Sequence, residues 1–192
     1  MRDYINFDKY LTELIGDVYA SPSDPQHSEW RQWIFTNWIS KLFGVTTCLD
    51  IGCGDGFCKP MAEDVGLKWS GVTIGSEYLD LKNNGFDVYN ADMTFLPFHN
   101  NSFDLLMAFH VLEHSPFPLI TLMEWHRVAK TYLCIVLPTP EFWTYAGRNH
   151  YSVMEKEHFR WIAKRAGWRL IWEDSIKQEY RFMLAKDEPQ KE

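Results

Sequence analysis

The 192-residue sequence has few cysteines and no long apolar run, and each shortage excludes a class of protein. None of the four cysteines forms a CxxC pair, and Cys53 and Cys58 flank a glycine-rich turn, a spacing poorly suited to zinc. We therefore expect free thiols in a reducing compartment. No apolar run approaches the ~20 residues of a membrane span, and the N-terminal stretch lacks the layout of a signal peptide. These absences predict a cytoplasmic protein without a membrane span.

Basic residues are also fewer than acidic ones. The chain has 19 Lys and Arg and 26 Asp and Glu, which gives a net charge of −7. This balance disfavours binding to nucleic acids or to membrane surfaces. Aromatic residues are abundant at 16% of the chain, and we interpret them as packing anchors or as walls for an apolar ligand. The length and the lack of a long linker predict a single domain over residues 1–192.

Apolar spacing predicts how this domain is organised. Residues 1–43 are expected to hold two helices, at 4–19 and 27–43, which form either a lid or an oligomer face. Residues 45–185 form the core, and 186–192 a polar tail. Strands are predicted at 45–51, 69–74, 86–90, 103–109, 132–137, 168–173 and 180–185, with helices at 58–65, 77–83, 117–129 and 154–166. This alternation predicts a doubly wound, mostly parallel α/β sheet with an antiparallel hairpin at its edge. The oligomeric state is left open.

A glycine-rich turn follows the first predicted strand, in the stretch LDIGCGDGF. Gly52, Gly54 and Gly56 permit a tight turn and a close approach of the backbone to a ligand. Phe57 stands where the dinucleotide fingerprint GxGxxG needs its third glycine, and no GK[ST] sequence marks a P-loop. The turn therefore indicates a nucleoside site of another kind, or else a tight turn without a ligand.

LDIGCGDG resembles motif I of the class I S-adenosylmethionine-dependent methyltransferases. Three later segments follow in the order that this family has: NADMTFLPFHNNSFDLLMAFHVLEH, LMEWHRVAKTYLCIVLPTP and FRWIAKRAGWRL. The resemblance covers about residues 45–185 and is closest to the type 11 small-molecule branch, also called ubiquinone/menaquinone-biosynthesis-like. It implies a Rossmann-like sheet of seven strands, S-adenosyl-L-methionine as the cofactor, and in-line transfer of a methyl group to a small-molecule acceptor.

The resemblance also implies which residues bind the cofactor. Asp50 would contact its methionine end, and the backbone of Gly52, Cys53 and Gly54, in a turn completed by Gly56, would pass against its methionine and ribose. Asp92 would accept a hydrogen bond from the adenine amino group, the amide of Met93 would meet a ring nitrogen, and His110 would lie beside the methyl group. Asp92 is alternatively a turn residue that bonds to its own backbone.

The sequence departs from the family at the end of the second strand, where an acid normally binds the ribose hydroxyls. Thr73 stands there instead. Ribose binding then falls to Glu77, to Thr73 or to Ser76. Glu77 is equally well explained as an acid at a helix N-terminus, where the helix dipole favours it.

Residues 110–114 spell HxxEH, a motif of inverted zinc proteases. That motif needs a helix, whereas here it follows a strand and precedes Ser115-Pro116, so we expect no metal site. The resemblance makes His114 a candidate general base toward the acceptor, because a neutral imidazole can take a proton. The alternative is a histidine that organises the loop.

An aromatic segment follows the strand at 132–137, and in this fold such a segment covers the acceptor. Candidate acceptor-binding residues are Trp143, Arg148, His150 and Tyr151. Arg148 suits an anionic group. The alternative is a surface loop that packs on the N-terminal helices. Asp104 is interpreted as a structural residue that orders a turn.

Three competing functions remain. A nicotinamide-dependent oxidoreductase is disfavoured by Phe57 and by the lack of an acid at Thr73. A catalytically silent S-adenosylmethionine-binding protein, or a partner subunit of the same fold, is favoured by Thr73. A nucleic-acid methyltransferase is disfavoured by the acidic charge and by HVLEH, which replaces an NPPY-type or Pro-Cys motif. The identity of the acceptor does not follow from the fold.

Overall fold

The computed structural model describes residues 25–74, 77–143, 150–176 and 178–187. The predicted helix at 4–19, most of the polar tail and the candidate residues Ser76 and Arg148 lie outside the described residues. The side chain of Trp143 lies outside them as well.

The described residues form a seven-stranded sheet in the order β3-β2-β1-β4-β5-β7-β6. Strands β1 to β5 pair in parallel, and β7 pairs antiparallel with both β5 and β6. This confirms the predicted fold, including the antiparallel hairpin at the edge. The strands are β1 (Thr47–Ile51), β2 (Lys68–Thr73), β3 (Val88–Asn90), β4 (Phe103–Phe109), β5 (Ala129–Pro138), β6 (Trp168–Ile176) and β7 (Glu179–Lys186).

Helices connect the strands and cover the sheet. They are α1 (Pro25–Asn37), α2 (Cys58–Asp64), α3 (Glu77–Asn83), α4 (Pro118–Val128), α5 (Pro140–Trp143) and α6 (Lys156–Arg165), with single 3-10 turns at Ile39–Lys41 and Leu112–His114. The helix predicted at 27–43 is therefore two pieces. At the break, the Asn37 amide donates to the Trp33 carbonyl over 3.0 Å and the Ser40 hydroxyl donates to the Thr36 carbonyl over 2.7 Å. These side-chain bonds compete with continuation of the helix.

Two apolar cores flank the sheet. One contains Trp125 of α4 and Trp168 of β6 together with apolar residues of α6. The other contains Trp30 and Trp38 beside Trp69 of β2, together with residues of α2 and α3. The indole of Trp168 donates to the Leu122 carbonyl over 3.1 Å, so this buried polar group is satisfied. The tryptophans counted in the sequence thus serve largely as packing anchors.

Asp104, at the start of β4, links this central strand to the residues at which β1 begins. One carboxylate oxygen accepts hydrogen bonds from the backbone amides of Thr46 and Thr47, over 3.0 and 2.9 Å, and from both of their hydroxyls. The other oxygen lies 2.9 Å from Lys130 Nζ. Burial alone would raise the pKa of Asp104, but these hydrogen bonds outweigh it and hold the pKa well below its usual range. The structural role predicted for Asp104 is confirmed.

All four cysteines are free, as the spacing predicted, and the structure shows that all four are buried. Burial raises the pKa of each thiol, which keeps it protonated and unreactive. In the part of the chain that the structure describes, no helix is long and apolar enough to span a membrane.

Candidate functional site

The glycine turn lies beyond the carboxyl end of β1, where the strand order changes direction between β1 and β4. Open α/β sheets bind ligands at this position. The amides of Gly52 and Cys53 both donate to the Val72 carbonyl, over 2.8 and 3.0 Å, and so fix the turn to β2. Gly52 has a φ of +69°, and a Cβ there would come within 2.5 Å of the Val111 side chain. The turn is therefore packed tightly against the loop that follows β4.

Gly54, unlike Gly52, has open space beside it. It has a φ of +53°, and a Cβ built there meets no atom within 4 Å. A left-handed glycine facing open space lets a ligand come up against the backbone, which a side chain would prevent. Cys53, in contrast, is buried beneath the turn, and the position of a Cβ on Gly56 is already crowded by the ring of Phe86.

Asp50, the acid that precedes the turn, is only 3% exposed. One carboxylate oxygen accepts a hydrogen bond from the Trp69 indole over 3.3 Å. Burial raises the pKa of Asp50 to about 7, against the lowering effects of the Trp69 bond and of the positive charge of Arg31. The Cys58 thiol also forms a hydrogen bond with this carboxyl, so its protein partners are two neutral groups and the nearby charge of Arg31, and a cationic ligand would further stabilise its ionised form.

Arg31 of α1 is a site residue that the sequence analysis missed. Its guanidinium lies 5.2 Å from the Trp30 ring centre and 5.4 Å from that of Phe57, which follows the turn directly. Its Nε is buried and, among the described residues, has no hydrogen-bond acceptor. No motif surrounds Arg31, so only the packing of α1 over the turn reveals it.

Three features fit the methionine end of S-adenosylmethionine. They are the open space beside Gly54, the buried carboxyl group of Asp50, and the buried Arg31 Nε, which has no hydrogen-bond acceptor among the described residues. The ammonium of that end would suit Asp50, and its carboxylate would suit Arg31. The residues present therefore fit the cofactor that the sequence resemblance implies.

The ribose side of the site has no acid at the end of β2. Thr73 is buried there and pairs with Asn90 of β3. Glu77 begins α3, is half-buried, and its charge raises the pKa of Cys53 in the glycine turn. Glu77 is thus close enough to the turn to act on it electrostatically, and its role toward the ribose stays a prediction.

The Asp92–Met93 loop lies at the carboxyl end of β3. Asp92 accepts a hydrogen bond from the Thr94 amide over 2.6 Å, which is the bond to its own backbone that the alternative interpretation expected. The Met93 carbonyl accepts a hydrogen bond from the Trp125 indole over 2.9 Å, so α4 fixes this loop. The proposed adenine contacts of both residues stay predictions.

His110, directly after β4, lies between two acids and has a φ of +57°. Its Nδ1 lies 3.4 Å from Glu113 and its Nε2 lies 3.3 Å from Glu179 of β7. Burial would lower the pKa of His110, but hydrogen bonds to the two acids raise it to about 9. Its contact with a cofactor stays a prediction, because the observed partners of its ring are carboxylates.

The acceptor-side candidates are brought together only in part. The rings of His114 and His150 lie with their centres 4.9 Å apart, and Tyr151 is adjacent and 41% exposed. The amides of Tyr151 and Ser152 donate to the Glu113 carbonyl over 2.8 and 2.9 Å, which joins this segment to the loop after β4. Arg148 and the side chain of Trp143 lie outside the described residues.

The sheet order, the terminal hairpin and the glycine turn define the class I, Rossmann-like methyltransferase fold. Residues 49–132 match the methyltransferase domain family of type 11. Over these residues the chain is similar to the class I S-adenosylmethionine-dependent methyltransferases of this type, which agrees with the resemblance stated from the sequence. S-adenosylmethionine is the cofactor of this class.

Known proteins of similar sequence or structure agree with this similarity. The sterol 4-C-methyltransferase strm-1 of Caenorhabditis elegans is 31% identical over 124 residues, which are 59% of this chain and 35% of the relative. This chain thus spans about a third of the length of that curated relative.

Two solved structures show the same fold. A chain of the complex between the Haloferax volcanii Trm112 methyltransferase activator and a methyltransferase has a TM-score of 0.73 and 15% identity, and the match covers 90% of this chain and 97% of that one. A methyltransferase from Aquifex aeolicus has a TM-score of 0.66 and 22% identity, and the match covers 85% and 94%.

Proposed function

We propose that the protein transfers a methyl group from S-adenosylmethionine to a small-molecule acceptor by in-line displacement. The observation that carries the proposal is the combination of open space beside Gly54, the buried acid Asp50 that precedes the turn, and the half-buried Arg31, whose charge acts on Asp50 and whose Nε is buried without an acceptor among the described residues. The cofactor supplies a methyl group that its positively charged sulfur already activates. The protein then has mainly to position the acceptor and exclude water, which supplies much of the rate.

Each side chain has a distinct task in this proposal. Arg31 and Asp50 hold the carboxylate and the ammonium of the methionine end, while Glu77 or Thr73 holds the ribose. Asp92 and Met93 bind the adenine edge. His114 accepts a proton from the acceptor where the acceptor must lose one. We further propose that residues 1–192 form one domain in which α1 acts as a lid, which is supported by the position of Arg31 over the turn.

The proposed acceptor is a small molecule rather than a nucleic acid. The acidic net charge of −7 supports this, and so does the related sterol methyltransferase. Sterols and other apolar alcohols or phenols are therefore the first acceptors to assay. The cytoplasmic location stays a prediction that four free thiols support.

The test is calorimetric titration with S-adenosylmethionine and its demethylated product, with NAD as the control ligand. Binding of the first two and not of NAD is expected. A lack of binding by folded protein would contradict the proposal.

Replacing Gly54 with alanine is expected to abolish cofactor binding while leaving the protein folded. The new methyl group would meet no protein atom and would intrude on the proposed cofactor space. Gly44→Ala is the matched control, because Gly44 has a φ of +73° and equally open surroundings, but precedes β1 at the opposite end of the strand. Both variants should lose a similar ~1 kcal/mol of stability from the left-handed backbone. Equal cofactor affinity in the two variants would argue against the site.

A second candidate function is a catalytically silent cofactor-binding protein or partner subunit. Thr73 favours it, because a threonine replaces the acid expected to hold the ribose. Tight cofactor binding without methyl transfer to any of a wide panel of acceptors would support this alternative.

A further inference from the structure

The loop after β4 and the segment that precedes α6 bring together three side chains with metal-ligand chemistry. Glu113, His114 and His150 each offer one ligand atom, and these atoms all lie within 4.8 Å of one another. We propose that the three side chains form a binding site for a divalent transition-metal ion of the zinc type. The sequence predicted no metal here, because the HxxEH motif follows a strand and precedes Ser115-Pro116 instead of lying on a helix.

The carboxylate of Glu113 provides an independent argument for a ligand. Glu113 is 1% exposed, and one of its oxygens lies 3.4 Å from His110 Nδ1. Its Oε2 is buried and has no hydrogen-bond partner within the described ranges. A buried carboxylate oxygen left unsatisfied costs free energy, and a bound cation would remove that cost.

The backbone holds the contributing segments together before any ion binds. Glu113 and His114 are neighbours in one 3-10 turn, and the amides of Tyr151 and Ser152 donate to the Glu113 carbonyl. Those two residues follow His150 directly. The loop with two ligands is thus tied by two hydrogen bonds to the segment with the third.

Two imidazoles and one carboxylate suit Zn²⁺ and similar ions, which take nitrogen and oxygen ligands at about 2.0–2.2 Å. Ligand atoms around a tetrahedral ion lie ~3.4 Å apart, so separations at the observed limit of 4.8 Å must shorten by about 1.4 Å. Rotation of the two half-buried histidine rings can supply this movement.

Three protein ligands leave a coordination position open for an outside oxygen. Val111 of the same loop packs against Gly52 of the glycine turn, which puts the proposed ion beside the proposed cofactor site. We assign the open position to a hydroxyl or carboxylate oxygen of the acceptor. With the ion bound, His114 is a metal ligand and does not also act as the general base, and the ion takes over that task by lowering the pKa of a bound hydroxyl. This assignment rests on the proposed function, whereas the metal site itself does not.

The test is titration of untagged, chelator-treated protein with Co²⁺ and with Zn²⁺. One Co²⁺ per chain is expected to bind with visible d–d absorption, and Zn²⁺ is expected to displace it. Sulfur-to-metal charge-transfer bands should be absent, because all four cysteines are buried elsewhere. His114→Ala, His150→Ala and Glu113→Gln should each weaken metal binding by at least about tenfold. His158→Ala, an exposed histidine of α6, is the matched control and should bind metal normally.

Circular dichroism shows whether each variant is folded. If the change at the buried Glu113 disrupts folding, the His150→Ala variant still tests the site, because His150 is only half-buried. Absence of Co²⁺ binding, or binding that the His114 and His150 variants leave unchanged, would overturn the proposal. Calorimetry with S-adenosylmethionine on the same samples separates the two hypotheses. Cofactor binding without metal binding rejects the metal site alone, and metal binding without cofactor binding rejects the proposed function alone.

Discussion

The affinity of the protein for S-adenosylmethionine is expected to rise as the pH increases toward about 7, the pKa of Asp50, and to level off above it. Burial raises the pKa of Asp50 to about 7, so below this pH the free protein holds the carboxyl protonated. The cationic methionine end favours the ionised form, and binding therefore releases a proton. Affinity should increase by up to about tenfold per pH unit below the pKa and level off above it.

The stability of the cofactor-free protein should change in the opposite direction. The folded-state pKa of Asp50 lies above its ordinary value of 3.8, so the folded protein binds more protons than the unfolded chain between these values. The free energy of unfolding contributed by this group therefore falls as pH rises from 3.8 to about 7 and is constant above. Cofactor affinity and apo stability thus have opposite pH slopes because of one carboxyl group.

Asp50→Asn separates the two effects, because asparagine keeps the shape and can still accept the Trp69 hydrogen bond. We expect the variant to be more stable than the native protein at pH 8, by about 1–4 kcal/mol, and to lose at least about a hundredfold in cofactor affinity. Its remaining affinity should no longer depend on pH in this range.

Calorimetry at several pH values and urea unfolding followed by tryptophan fluorescence measure both quantities. Asp64→Asn, at the exposed end of α2, is the charge-matched control and should leave both slopes as they are. If Asp50→Asn retains the native affinity and its pH slope, Asp50 does not contact the cofactor.

Asp104→Asn is expected to destabilise the protein by about 3 kcal/mol without a specific effect on cofactor binding. The substitution replaces a carboxylate that accepts hydrogen bonds from two amides and two hydroxyls at the entry of β1. Hydrogen bonds to a charged group contribute more than neutral ones, and their partially buried donors would be left poorly satisfied. Urea unfolding at pH 7 measures the loss.

Lys130→Met is the matched variant, because Lys130 contributes only the salt bridge to the same carboxylate. The lysine side chain is 44% exposed, so its removal should cost less than about 1 kcal/mol. A loss for Lys130→Met as large as that for Asp104→Asn would mean that the ion pair, and not the backbone anchoring, holds the strand.

Much of the fold could be predicted from the sequence, because the spacing of apolar residues and the positions of glycines are patterns that a short stretch of chain contains. The strand at 103–109 and the helix at 77–83 have the predicted bounds. The predictions fail where tertiary packing overrides the pattern. Phe86 was predicted to begin a strand, but β3 begins at Val88, and the ring of Phe86 packs against Trp69 and beside Gly56.

The candidate site is less predictable, because its members are distant in sequence and lack motifs. Asp50 and Gly54 belong to a recognisable turn, whereas Arg31 reaches it only because α1 packs across the sheet. Glu179 reaches His110 only because β7 enters the sheet beside β5. The grouping of His150 with Glu113 depends on two backbone hydrogen bonds that no local pattern indicates.

The position of β7 between β5 and β6 has a consequence for synthesis on the ribosome. β6 leaves the ribosome before β7, yet within the described part of the chain β7 is the only strand that pairs with it. Until β7 has emerged, the nascent chain exposes the open edge of β5 together with an unpaired β6. Exposed strand edges of this kind invite pairing with other chains. Translation pauses or truncations upstream of residue 179 should therefore favour aggregation, and a chaperone that covers the β5 edge should matter most during this interval.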